Sequence, residues 1–291
     1  MKLLLIAILV SIWAMPTHAQ RVPDGDPVVT EVADDLYMLE WAGGNIGISV
    51  GEDGVVLVDD QYAPMVPKNL AALRRITDAP LRFVLNTHWH GDHTGGNEQL
   101  AGEGALIIAH DNVRKRLAEG SLLREIPAAP AGALPVVTFD SNVTLHFNGH
   151  EVHAYHVGAA HTDGDSVVHF RGADVIHTGD IFFNGRFPYI DGGSGGNVAG
   201  VLAAVDGILA LCTPKTKIIP GHGPLTDCDG LRGYKSMLTI VHERIAKLIA
   251  GGATADEVVA AQPASEYADA WTWGFMPTDR WVRLMYELMS E

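Results

Sequence analysis

Only two cysteines, Cys212 and Cys228, occur in the 291 residues, and neither belongs to a Cys-x-x-Cys pair. That removes a thiol-redox motif and a cysteine-held zinc finger from consideration. The two thiols can pair or stay buried as small apolar groups, and sequence alone does not choose between them. Basic residues are scarce too: 20 Lys and Arg stand against 35 Asp and Glu, for a formal net charge of −15. No basic run interrupts the excess, so nucleic acid, whose phosphates demand clustered Lys and Arg, is excluded as a partner. After the first residues, no apolar run approaches the ~20 residues that cross a membrane. No linker divides the chain.

The N-terminus is the one long apolar stretch. Lys2 supplies a positive start, Leu3 to Trp13 are mostly apolar, and Thr17-His18-Ala19 ends in small residues before Gln20. Residues 1–19 read as a secretory signal peptide, with an uncleaved single-span anchor as the competing reading. Export to a bacterial periplasm, where disulfides persist, is therefore expected. Residues 20–291 read as a single domain ending in C-terminal helices.

Strand-like runs at Val28–Val32, Leu36–Trp41, Ile46–Val50 and Val55–Val58 are punctuated by glycines. A helix over Met65–Ile76, a strand at Leu81–Leu85, a strand at Ala105–Ala109 and a helix at Asp111–Glu119, capped by Asp111, follow. Gly120–Pro135 reads as an irregular connector. A second set opens with Val143–Phe147 and Val152–Val157, joined by the hairpin signal Asn148-Gly149. Strands at Ser166–Phe170 and Asp174–His177, a helix at Asn197–Leu211, a strand at Lys217–Ile219 and a helix at Leu231–Ala250 complete it. Two more helices are expected near Thr254 and Asp279. The order suggests two similar halves, each a sheet covered by helices on one face.

One segment concentrates chemistry. The run Thr87-His88-Trp89-His90-Gly91-Asp92-His93 places four potential metal ligands within six residues. Residues two apart in an extended chain project to one side, so His88 and His90 can grip one ion while Asp92 and His93 face a neighbouring one. Buried without a cation, four such groups would carry a heavy desolvation cost. Three later motifs also lie at strand ends: Ala160-His161-Thr162-Asp163-Gly164-Asp165, His177-Thr178-Gly179-Asp180 and Pro220-Gly221-His222-Gly223. Singly, each also suits an ordinary turn.

In this order the motifs resemble those of the metallo-β-lactamase superfamily, over about residues 28 to 225. The resemblance implies an α/β fold, a four-layer αββα sandwich with the site at one edge of its two sheets. It implies that His88, His90 and His161 hold one ion, that Asp92, His93 and His222 hold a second, and that Asp180 bridges both. Imidazole and carboxylate without thiolate suit zinc, and also accept iron or manganese. The flavodiiron relatives carry Glu where His90 stands and append a flavin domain, so redox chemistry is not implied. Implied instead is hydrolysis by a hydroxide shared between the ions, oriented by Asp92. Asp59 and Asp60 either support a ligand histidine or cap a turn. His177 packs or hydrogen-bonds; His150, His153 and His156 read as ordinary strand residues.

Members of the superfamily split lactams, thioesters, lactones, phosphodiesters and sulfate esters, so the ligand set implies a small-molecule substrate without naming the bond. β-Lactamases with a cysteine ligand carry it where Asp180 stands, with Lys three residues later; here that position is Phe183. Asp at this place is used by glyoxalase II, lactonases and phosphodiesterases. Export leans toward β-lactamase-like binding, as does Trp41–Asn45, which resembles a mobile hairpin over the site. In the loop Asp191–Asn197, Asn197 either stabilises developing charge or caps the helix at Val198. Arg186 stands as a replacement clamp for a substrate carboxylate. Trp271, Trp273 and Phe275 either wall a pocket or pack. The expectation is a dinuclear zinc-dependent hydrolase, β-lactamase-like, with lactam cleavage in its scope. Another ester-type bond (phosphodiester, lactone or thioester) is the alternative, and a non-catalytic metal-binding accessory protein the second. Oligomeric state is not legible.

Overall fold

The computed structural model describes Val22, residues 24–121 and residues 125–290, so the expected signal peptide lies outside the described residues. Strands β1 (Val28–Ala33), β2 (Leu36–Glu40), β3 (Ile46–Gly51) and β4 (Gly54–Val58) form an antiparallel meander. β5 (Leu81–Leu85), β6 (Leu106–His110) and β7 (Val137–Phe139) extend it in parallel, so seven strands lie in chain order. Their crossovers carry α1 (Val66–Leu73), the short α2 (Gly91–Thr94), α3 (Asn97–Gly102) and α4 (Asp111–Glu119). The second sheet repeats the plan. β8 (Asn142–Phe147), β9 (His150–His156), β10 (Ser166–Arg171) and β11 (Val175–His177) run antiparallel. α5 (Val198–Leu209) then returns the chain to β12 (Lys217–Ile219), parallel to β11, and the two-residue β13 (Thr226–Asp227) closes the edge. α6 (Cys228–Ala250), α7 (Ala255–Ala260), α8 (Ala268–Trp271) and α9 (Thr278–Ser290) follow.

Alternation along the strands produces the layers. Val56 and Val58 of β4 face inward and share a cluster with Val168, Phe170 and Ile219 of the other sheet. Their neighbours Val55 and Leu57 face outward and join Leu73 of α1 and Leu100 of α3. In the second sheet Val167, Ile176 and Ile218 point the opposite way, onto α5, α6 and α9. The buried stripe Leu231, Tyr234, Leu238, Val241 and Ile245 keeps one face of α6 on that layer. The result is the expected αββα sandwich, with one inter-sheet core common to both halves.

Some local details differ from the sequence reading. α4 is capped by His110, whose Nδ1 accepts from the Asn112 amide at 3.2 Å, and not by Asp111. α6 begins at Cys228, three residues earlier than expected, because Asp227 caps it. α3 was not foreseen: its sequence NEQLAG has no apolar periodicity. Tertiary bonds fix its first residue instead, since Asn97 Nδ2 donates to Asn86 Oδ1 at 3.0 Å and to Ala133 O at 2.9 Å. β7 and β13 are too short to leave a pattern.

Cys212 and Cys228 are joined, with Cα atoms 6.2 Å apart and a separation of 16 in sequence. The bond ties the chain just after α5 to the start of α6. Closing a loop of that length stabilises by about 3 kcal/mol through the unfolded chain. Replacing both cysteines by serine should therefore lower the melting temperature by several degrees; a double variant that melts with the parent protein would show that the bond adds no stability.

Candidate metal centre

All seven expected ligands converge at one edge of the two sheets. His88 and His90 follow β5, and Asp92 and His93 lie on α2 in the next turn. His161 follows β9, Asp180 follows β11 and His222 follows β12. Strand ends deliver these side chains because neighbouring strands finish side by side at that edge. The ligating atoms form two groups, each within 4.8 Å: His88, His90, His161 and Asp180, then Asp92, His93 and His222.

In the first group His90 Nδ1 lies 3.1 Å from His88 Nε2 and 2.9 Å from His161 Nε2. Asp180 Oδ2 is 3.7 Å from His88 Nε2 and 3.5 Å from His161 Nε2. The other oxygen of the same carboxylate, Oδ1, is 3.1 Å from His93 Nε2 and 3.3 Å from His222 Nε2. Asp92 Oδ2 completes this second group, 3.3 Å from His222 Nε2. Asp180 thus addresses both groups.

Outer partners decide which nitrogen each ring turns inward. Asp59 Oδ2 accepts from His93 Nδ1 at 2.7 Å, and its two oxygens also take the amide and hydroxyl of Thr87. The Thr87 hydroxyl, committed as a donor to Asp59, accepts from His88 Nδ1 at 3.0 Å. His161 Nδ1 donates to Tyr189 O at 2.8 Å, and His90 Nε2 to Asp191 Oδ2 at 2.8 Å. Four of the rings therefore carry their proton outward and a lone pair inward. Of the two aspartates read as candidate supports, Asp59 plays this part. Asp60 instead accepts from the Gly96 amide at 2.8 Å and fixes the backbone behind His93. His177 hydrogen-bonds Asn45 O at 3.1 Å and is no ligand.

Burial pushes the His88 imidazole well below its usual range and the His161 imidazole to about 4. Burial also acts against protonation of His93 and His222, but the neighbouring carboxylates together outweigh it, Asp180, Asp92 and Asp59 at His93 and Asp180 and Asp92 at His222. His93 is raised well above its ordinary value and His222 to about 9. Burial opposes ionisation of Asp180 and Asp92 as well. His93 and His222 override it, holding Asp180 well below the usual carboxylate range and Asp92 at about 2. The cluster is thus a set of ionised carboxylates drawing positive charge toward inward nitrogens. Asp180 Oδ1 is buried with no hydrogen bond of acceptable geometry. Ligands 2.0–2.1 Å from a tetrahedral zinc sit roughly 3.3 Å apart, and the spacings here scatter around that value. The donor set fits metal ions.

An open cleft of about 550 Å³ lies over the centre. Arg186, Trp273 and Phe275 line it, as does Trp41, while Trp271 turns away to pack on Tyr234. Asn197 is a helix cap: its Oδ1 accepts from the Gly200 amide at 2.7 Å, and its Nδ2 donates to Ala159 O at 3.3 Å. Of the two roles read for Asn197, the helix cap is the one formed, and the residue is not among those lining the cleft. Nor is the base of the Trp41–Asn45 hairpin loose. The Gly44 amide donates to Asp92 O at 3.0 Å, and buried Asn45 grips Pro220 O and Gly223 O on either side of His222. A Cβ at Gly44 would stand 2.1 Å from His93 Cε1, so glycine is required there. Sequence reading missed Tyr62, Ile126 and Tyr189, which sit in no motif that announces a site; it flagged the segments that hold Asn45 and Asp191 without seeing what these two residues do.

The sequence profile of the metallo-beta-lactamase superfamily matches residues 39–226. A hydroxyacylglutathione hydrolase of Polaromonas sp. (strain JS666) is 28% identical over 193 residues, 62% of this chain and 64% of that protein. The known relatives it matches are spanned over only 27% to 64% of their length. Among solved structures, a metallo-beta-lactamase from Pontibacter korlensis superposes with a TM-score of 0.63 at 19% identity, covering 74% of this chain and 99% of that one. The inverting sec-alkylsulfatase Pisa1 from Pseudomonas sp. superposes with a TM-score of 0.68 at 17% identity, covering 90% of this chain and 50% of that one. At such identities the structural likeness speaks for the fold alone. With a profile spanning most of the chain, and the seven side chains gathered as its motif order implies, the chain belongs to the metallo-beta-lactamase superfamily.

Proposed function

We propose that this chain is an exported dinuclear zinc hydrolase of acyl-type bonds (lactam, lactone or thioester) in a small substrate bearing an anionic group. The observation that carries this reading is Asp180, one carboxylate whose two oxygens address two separate ligand groups. A bound metal pair supplies a hydroxide nucleophile near neutral pH and a Lewis acid for the carbonyl. Asp92 is ionised, and its side chain is 20% exposed against 4% for Asp180. It accepts a hydrogen bond from the attacking water and so sets its direction. Phe183, stacked on the His222 ring at 4.9 Å, keeps solvent from that ligand.

Among the described residues that line the cleft, Arg186 is the one Lys or Arg side chain, which favours an uncharged acyl centre with a single anionic handle over a phosphodiester. The hydroxyacylglutathione hydrolases among the relatives support the same choice. A complete ligand set with its outer partners weighs against a non-catalytic accessory role. The Cys212–Cys228 bond supports an oxidising compartment such as a periplasm.

Dialysis against a chelator should abolish hydrolysis of activated acyl substrates, and zinc should restore it; undiminished rates after verified metal removal would refute the reading. Asp59→Asn, which breaks the bond to His93 Nδ1, should weaken zinc binding about 10–100-fold, measured by chelator competition. Unchanged affinity would reduce Asp59 to a fold-stabilising residue. Arg186→Ala should raise KM about tenfold for carboxylate-bearing substrates, a loss of ~1.4 kcal/mol, with a smaller change for neutral analogues. An equal change in KM for both would remove its role as clamp.

A further inference from the structure

Part of the cleft wall comes from outside the stretch that the family profile matches, which ends at residue 226. Trp273 and Phe275 stand in the turn between α8 and α9, and that turn is rigidly held. Met276 N donates to Trp273 O at 2.9 Å, and Trp273 Nε1 donates to Phe187 O at 2.9 Å. The Arg186 guanidinium lies over the Trp273 ring at 5.2 Å, and Arg280 lies over Phe275 at 4.6 Å while also donating to Phe275 O. These rings are in place before any substrate arrives, which lowers the ordering cost of binding.

Phe275 is 45% exposed, and it is not a scattered surface residue. Its ring meets Trp273 at 5.3 Å and 47°, and Tyr189 at 5.9 Å and 86°. All three line the cleft. Rings set at these angles make an aromatic corner in the cleft wall, a shape that suits a flat apolar group. The corner reaches both halves of the centre. Tyr189 lies 6.1 Å from the His90 ring and 6.0 Å from that of His161, while Trp273, under Arg186, lies 6.0 Å from His222.

We infer that the Tyr189–Phe275 corner binds an aryl or similarly flat apolar group of the substrate, and that this group and the anion at Arg186 flank the scissile bond. The inference rests on the hydrolase reading for the bond that breaks. Water adds across that bond, hydroxyl to the acyl carbon and proton to the leaving atom, so the aryl part and the anionic part separate as two products. The C-terminal turn is then the part of the chain that sets substrate preference, and the shared ligand motif sets the reaction.

The test compares phenylacetyl and acetyl thioesters of mercaptoacetate with the zinc-loaded protein, alongside binding of phenylacetate and acetate followed by tryptophan fluorescence. The parent protein should prefer the phenylacetyl thioester by at least about tenfold in kcat/KM, the scale of one well-buried ring. Phe275→Ala should cut that preference to about twofold, and should weaken phenylacetate binding more than acetate binding. A preference that is absent, or that survives the substitution, overturns the inference while leaving hydrolysis intact. If neither thioester is cleaved but phenylacetate binding still depends on Phe275, the thioester falls as the scissile bond and the aryl site stands. Phenylacetate bound no more tightly than acetate overturns the aryl site whatever the turnover.

Discussion

A carboxylate held ionised in a buried nest of imidazoles is the constraint around which this molecule is arranged. Asp180 is almost fully removed from water, and four histidine nitrogens lie within 3.7 Å of its oxygens. A buried charge in that position is expensive unless positive charge compensates it. Metal ions would satisfy the carboxylate and the inward lone pairs together, which protons on mutually repelling imidazoles do less well. The metal-binding reading thus follows from the energetics of the site as well as from the ligand order.

That arrangement needs rigid delivery. The ligands come from four separate stretches of chain, and four of the histidines are held from behind by a second residue. Asp59 serves both His93 and, through Thr87, His88. Asn45 bridges from the β2–β3 connection to the loop of His222, so it links a ligand of the second half to the sheet of the first. Backbone approaches as close as Gly44 against His93, and Gly221 against Asp180, leave no room for a side chain. The glycines that looked like simple turn signals are there for ligand packing.

The fold's long elements were legible because apolar periodicity records which face is buried. The β4 sequence Gly54–Val58 and the α6 stripe are examples: the first is an apolar run buried on both faces, its alternate side chains joining opposite layers, and burial recurs every three to four residues in the second. α3, β7 and β13 were not legible, since neighbours far along the chain stabilise them and their own sequences carry no period. The α4 cap moved from Asp111 to His110 for a related reason: His110 Nε2 also donates to Asp140 O, a partner visible only in three dimensions.

By itself the sequence picked out the seven residues that the fold gathers into a candidate metal centre, because metal chemistry restricts residue type and the dense first cluster restricts spacing. It also determined the order of sheets and helices. Only the tertiary structure decided which outer residue serves which histidine, that Asn197 caps a helix, that Cys212 pairs with Cys228, and that Trp273 and Phe275 face the cleft while Trp271 does not. Those outcomes depend on distances between segments far apart in the chain, set by how two sheets and their helices pack. No local pattern encodes them.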